Sequence, residues 1–233
     1  NTIIGVALAT IGLVTFWGCH IYGKNALMRK AQVRALTIEN ISLVAPKKKG
    51  AESDEDYKKL RENWKTSRQS ALEKHSKNIK QAEMLSMTLN TIGGGLGLVL
   101  FGAISNRLGR RGAFVLYHAG AFIMALVMFK VLIPQGASET TLAVALPIFG
   151  FLTLGMHAGY AVYFPELYPT RLRGSGTGFC FNMGRIGSAL YLFIVAKIGW
   201  QPDQAALYMA PVFAVGIAIA WVAPETRDQE LPE

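Results

Sequence analysis

Long apolar runs alternate with short polar breaks along most of this chain. Runs of roughly 20 residues with almost no charge fall at 1–22, 84–104, 113–133, 142–164, 175–199 and 205–223. At about 1.5 Å per residue, each is long enough as a helix to cross a hydrocarbon layer of ~30 Å. Strands of a membrane barrel alternate apolar and polar side chains over about ten residues, and these runs do not. The pattern predicts an all-α integral membrane protein with six spans. One stretch departs from it: residues 23–83 are polar. Within them, 36–45 is too short to span, and 46–56 reads as a loop from its Pro, Gly and charge. A helix is expected from Ser53, with Ser53 and Asp56 forming a capping box. Leu60, Trp64, Ala71, His75 and Ile79 recur at helical spacing, so that helix is expected to run on into the span at 84.

Charge sharpens this division. Residues 23–83 hold 15 of the 24 Lys and Arg and 8 of the 15 Asp and Glu. The pI near 9.6 therefore describes the insertion and is no argument for nucleic-acid binding. Short loops rich in Lys and Arg face the cytoplasm. The 105–112 turn carries Arg107, Arg110 and Arg111, the 165–174 loop carries Arg171 and Arg173, and the tail 224–233 carries Arg227. The loops of opposite parity, 134–141 and 200–204, carry no Lys or Arg. Both chain ends are thus expected in the cytoplasm and 23–83 outside, because loops near sixty residues cross largely regardless of charge. Asn1 is no start methionine and no basic segment precedes the first span, so the pattern is that of a fragment and not of a signal peptide.

Catalytic signatures are missing. No HExxH, nucleophile elbow or paired carboxylate occurs, so no enzyme activity and no cofactor are expected. Cys19 and Cys180 both fall in apolar spans and read as small buried hydrophobes, with no metal or disulfide spacing. Gly93, Gly94, Gly95 and Gly97 on one span, with Gly184, Gly187 and Ser188 on another, permit close helix approach.

Three segments resemble a known family. GAISNRLGRR (102–111) is similar to the basic signature loop of the major facilitator superfamily, roughly G-x-x-x-D-R-x-G-R-R, with Asn106 in the acidic position. PELYPTRLRGSGTGF (165–179) looks like the loop between helices ten and eleven of its sugar and organic-ion members. PETRDQ (224–229) resembles the P-E-T-x-G segment after helix twelve, with Asp228 where glycine is common. The order and helix boundaries match over about 170 residues. The resemblance implies the C-terminal six-helix bundle, helices seven to twelve, of a 3+3 inverted-repeat fold, with 23–83 inserted between helices seven and eight. It further implies a cytoplasmic gating cluster: Gly102, Asn106, Arg107, Gly109, Arg110, Arg111, Glu166, Arg171, Arg173 and Glu225. These would latch the two bundles in the outward-facing state.

The implied activity is secondary active transport of a small organic solute, a sugar, carboxylate or other organic ion, by alternating access. Its partners would be the lipid bilayer of the cell (inner or plasma) membrane and an N-terminal six-helix half, with no nucleic acid. A coupling proton or sodium ion is left open. Arg185 is the one charge deep in a span, and a mid-bilayer arginine costs at least ~2.5–3.5 kcal/mol, so it should face a cavity or a partner. Asn182 lies one turn before it. Family cavities are lined mainly by helices one, four, seven and ten, which draws attention to Trp17 and His20 on the first span and His157 and Tyr160 on the fourth. Asn90 is a further polar candidate. No span contains Asp or Glu, so protonation within this chain would fall to His20 or His157. A non-transporting membrane sensor using 23–83 is the competing reading.

Overall fold

The computed structural model describes residues 1–48, 53–198, 200 and 202–230, apart from the side chains of 202 and 203. Parts of the 46–56 loop, the 200–204 loop and the 224–233 tail therefore lie outside the described residues. Every regular element described is a helix. In chain order these are α1 (Thr2–Gly23), α2 (Ala26–Ile38), α3 (Asp54–Lys74), α4 (76–108), α5 (110–132), α6 (Glu139–Glu166), α7 (Arg173–Ile198) and α8 (Pro202–Val222). They fall into two compact units, Asn1–Lys24 with Met87–Glu233, and Asn25–Ser86.

Five helices among the described residues are long and apolar enough to cross a membrane. The second of these, Ser76–Leu132, is bent at Gly109, where φ is 81° and ψ 167°. It is therefore two passes, α4 and α5, and six apolar segments result. The 105–112 turn was expected to be a polar break of eight residues. Only Gly109 leaves the helical region, because the chain needs one left-handed residue to turn and the polar residues around it continue the helices.

α1 packs mainly against α7 and next against α8. The approach is close: a Cβ at Gly184 would stand 2.8 Å from the Ala9 carbonyl carbon. α4 meets α6 in the same way, with a Cβ at Gly97 only 3.0 Å from Gly155 Cα. Small residues let backbones approach where lipid offers no hydrophobic driving force between helices. By contrast, Gly95 has nothing within 4 Å. Hydroxyls in the spans bond back to their own helix, Thr10 to the Val6 carbonyl at 2.8 Å and Thr15 to Ile11 at 2.9 Å, so they need no water. α6 starts at Ser138, whose side chain accepts from the Thr141 N–H at 3.0 Å. Cys19 and Cys180 are buried and unbridged.

In the smaller unit, Ser53 caps α3, accepting from the Asp56 N–H at 3.1 Å while its hydroxyl donates to the Asp56 carboxylate at 2.7 Å. The expected run of that helix into the next span is corrected: α3 ends at His75 (φ −101°, ψ 13°) and α4 starts afresh at Ser76. The imidazole of His75 and the ammonium of Lys74 both reach Glu39 Oε1 at 2.9 Å, tying this break to the end of α2. Those two donors hold the Glu39 carboxyl below its ordinary range. α2 itself was not foreseen, since residues 26–38 have no strong apolar stripe.

Candidate functional site

Two polar constellations occupy the larger unit. The first surrounds the bend at Gly109. Its backbone needs a left-handed residue, and a Cβ there would stand 2.9 Å from Glu225 Cδ. The Glu225 carboxylate fills that space. It accepts from the Arg110 N–H at 2.8 Å and the Arg111 N–H at 3.1 Å, the first free donors of α5. It also takes the Thr226 and Arg227 N–H groups at 3.1 and 2.9 Å. Partial burial pushes this carboxyl's pKa up, but the backbone N–H bonds from Arg227, Arg110, Arg111 and Thr226 outweigh it and hold the group below its ordinary value.

On the other side of the bend, Arg227 Nη1 donates to the last carbonyls of α4, Arg107 at 2.8 Å and Asn106 at 3.3 Å. One tripeptide thus places a carboxylate at a helix N-terminus and a guanidinium at a helix C-terminus, each on the side the helix dipole favours. The Arg110 side chain turns to α6 and grips Glu166 through both Nε (3.0 Å to Oε2) and Nη2 (2.8 Å to Oε1). Its Nη1 donates to Ser105 and to Asn106 Oδ1, each at 3.0 Å. Thr226 donates its hydroxyl to Glu166 as well, at 2.5 Å. Arg111 donates to the Trp221 carbonyl near the end of α8, and Tyr163 to the Pro224 carbonyl at 2.6 Å.

The sequence reading of this cluster needs adjustment. The bonds of Glu225, a member of the expected cluster, run to backbone N–H groups. Arg107 and Arg171 make no side-chain hydrogen bond or ion pair among the described residues, and Arg173 reaches only the Tyr168 carbonyl, at 3.4 Å. Nothing lies within 4 Å of a Cβ at Gly102. Asn106, although not acidic, still accepts from Arg110. Arg227, Thr226 and Ser105 belong to the network and were missed.

The second constellation lies between α1 and α6. A π-helical turn, Phe16–His20, interrupts α1, a local rewinding often found at functional positions. The His20 ring stacks between Phe16 (5.0 Å) and Phe149 (5.9 Å). Its Nδ1 lies 2.6 Å from Thr153 Oγ1, and that hydroxyl donates to the Phe149 carbonyl at 2.6 Å. With its only proton committed, Thr153 accepts, so His20 Nδ1 carries the hydrogen. His157 sits edge-on to Phe16 and Tyr160 and donates through Nδ1 to the Leu154 carbonyl at 3.1 Å. Among the described residues its buried Nε2 has no hydrogen-bond partner, and neither has the Tyr160 hydroxyl. Asn90 Nδ2, beside Gly150, is unpartnered too.

Two candidates stand apart. Trp17, a cavity candidate on the first span, is 43% exposed on α1. Arg185 is exposed on α7, its Nη1 donating to Asn182 Oδ1 at 3.3 Å while Asn182 Nδ2 donates to the Gly178 carbonyl at 2.9 Å. Buried polar groups outside the sequence list include Thr153, His118 and the Tyr191 hydroxyl. His118 donates through Nδ1 to the Phe114 carbonyl at 2.8 Å, with Nε2 unpartnered. A histidine inside a span was the signal used for His20 and His157, and it marks His118 equally.

Apolar helices of spanning length, packed through small residues and closed at one end by a polar clasp, define a multi-pass helical membrane protein. A sequence model of the Major Facilitator Superfamily matches residues 75–233. The chain belongs to that superfamily. It is 31% identical over 151 residues to the inner membrane metabolite transport protein YgcS of Escherichia coli, covering 63% of this chain and 32% of that protein. It is 25% identical over 138 residues to a putative metabolite transport protein of Haemophilus influenzae, covering 58% and 33%. A cis,cis-muconate transport protein of Acinetobacter baylyi is 33% identical over 96 residues, covering 41% and 22%. The chain's match thus spans about a third or less of the length of these relatives.

Proposed function

We propose that the protein carrying this chain is a secondary transporter of small organic solutes, working by alternating access, and that this bundle is its C-terminal half. The observation that carries the reading is the clasp at Gly109. It joins the ends of α4, α5, α6 and the tail after α8 by a compact set of charged and polar bonds. A charged lock gathered at one end of a membrane bundle is suited to two discrete states. On the charge reading above, that end is cytoplasmic. The open polar atoms of His157, Tyr160 and Asn90 then serve the solute or a coupling ion, because buried polar groups without partners are costly unless something completes them.

The relatives named for metabolite and muconate transport favour organic acids as the substrate class. Arg185 supplies the cation for them, in an inner or plasma membrane. The test is uptake of radiolabelled muconate and related organic acids by the full-length protein in proteoliposomes. Arg185→Ala is expected to abolish uptake while the protein still inserts. Wild-type uptake in that variant would remove the role of Arg185, and no flux of any organic solute would remove the transporter. The separate compactness of Asn25–Ser86 favours one alternative, a sensor with its ligand domain there. Flux that survives deletion of 46–80 excludes it.

A further inference from the structure

The segment after α2 is built to hold apolar side chains in the open. α2 closes in a Schellman motif: Asn40 is left-handed (φ 53°), its N–H bonds to the Thr37 carbonyl at 3.1 Å, and the Ile41 N–H bonds to Leu36 at 2.9 Å. The next turn is fixed by Ser42. Its hydroxyl accepts from the Val44 N–H at 3.3 Å and donates to the Val44 carbonyl at 2.8 Å. Its carbonyl accepts from Trp64 Nε1 on α3 at 2.9 Å. These bonds fix the tip's turn without burying its side chains. Leu43 is 52% exposed, Val44 66%, and Ile38 57%.

The surroundings have a consistent chemistry. Leu60 lies one turn before Trp64 on the same face of α3 and is exposed. Arg61 and Arg68 share that face, three residues before and four after Trp64, with the Arg68 guanidinium 5.8 Å from the indole centroid. Lys47 follows the tip and is exposed. The stretch 25–86 carries 14 Lys and Arg against 8 Asp and Glu. An aliphatic tip, a tryptophan behind it and a fringe of cations form the composition of a surface that lies in the headgroup layer of an anionic membrane. A chain that spans a bilayer has such a surface beside it in every copy.

We infer that the tip at Leu43 and Val44, backed by Trp64, docks on an anionic lipid surface. The two aliphatic side chains enter the acyl boundary, and Arg61, Arg68 and Lys47 meet lipid phosphates. The experiment is spin labelling of the full-length protein in nanodiscs of phosphatidylcholine and phosphatidylglycerol, reading collisions with oxygen against those with a water-soluble nickel chelate. Cys19 and Cys180 are buried, and the unsubstituted protein gives their background. The label at Val44→Cys is expected to show an oxygen-to-nickel ratio several-fold above that at Lys59→Cys, away from the Trp64 face. Arg61→Glu with Arg68→Glu should bring the two ratios together. Equal ratios in the unsubstituted background overturn the proposal. A Val44 label shielded from both probes also overturns it, because the tip is then covered by protein. Undiminished immersion in discs of phosphatidylcholine alone overturns the part assigned to the cations.

Discussion

The clasp at Gly109 and the aromatic cluster around His20 lie in one bundle and treat polar atoms in opposite ways. At the clasp, one carboxylate takes four backbone N–H groups and one guanidinium makes contacts with three side chains. In the cluster, His157 Nε2 and the Tyr160 hydroxyl are buried with no partner among the described residues. A fully bonded polar network contributes to stability, while an unpartnered one detracts from it and persists where another role maintains it. The clasp should therefore respond to substitution through stability and the cluster through transport.

The largest effect is expected at the ion pair. Arg110→Ala leaves the Glu166 carboxylate, only 16% exposed, without its cation. The expected loss is about 3 kcal/mol, read as a fall in the detergent unfolding midpoint. Arg110→Ala combined with Glu166→Ala should cost less than the two singly, since they share one interaction. Strictly additive losses would show that the pair is not a unit.

Gly109→Ala comes next, at about 2 kcal/mol, because it combines a left-handed backbone with a side chain facing Glu225. Gly102→Ala is its control. Nothing stands near that position, so helix propensity should make the change neutral or slightly favourable. Equal losses at both glycines would break the claim that the bend is specific.

Glu225→Gln should cost about 1 kcal/mol at neutral pH, the worth of charge in bonds that an amide keeps in part. The sign of its pH dependence follows from a carboxyl held below its ordinary value in the fold. Its contribution is fully present at neutral pH and is lost as pH falls below the usual carboxylate range. Melting curves of the two proteins should therefore converge on acidification; a gap that widens instead would contradict the capping role. The smallest change in stability is expected for Tyr160→Phe, within about 0.5 kcal/mol of zero, because the hydroxyl it removes has no partner. Uptake, in contrast, should fall at least about tenfold if that hydroxyl binds what is carried. A variant that melts like the parent and transports like it would leave the cluster as mere packing.

Much of this was legible in the chain. Spans could be read because about 20 apolar residues have few other uses, and Gly109 and Arg110 because a glycine among arginines marks a turn. Glu225 was visible as an acid near a helix end, but its role was not, since capping depends on which backbone N–H groups arrive 114 residues away. Arg227 was read only as an inside charge for the same reason. Which side of α1 carries Trp17 was not legible, because α1 is apolar on all sides. The Ser42 and Trp64 tie joins two segments with no shared pattern, and no periodicity announces it.

The segment that completes the Gly109 bend is made after every helix of the bundle. A ribosome adding about 5–20 residues per second releases Glu225 and Arg227 many seconds after α4 and α5 have emerged. Through that interval the start of α5 and the end of α4 carry open backbone groups, and Arg110 can find Glu166 before either terminus is capped. Assembly of this bundle thus has a built-in final stitch. A nascent chain stopped short of residue 224 would hold α1 and α4 to α8 and still lack the residues that fasten the bend, a difference open to membrane quality control.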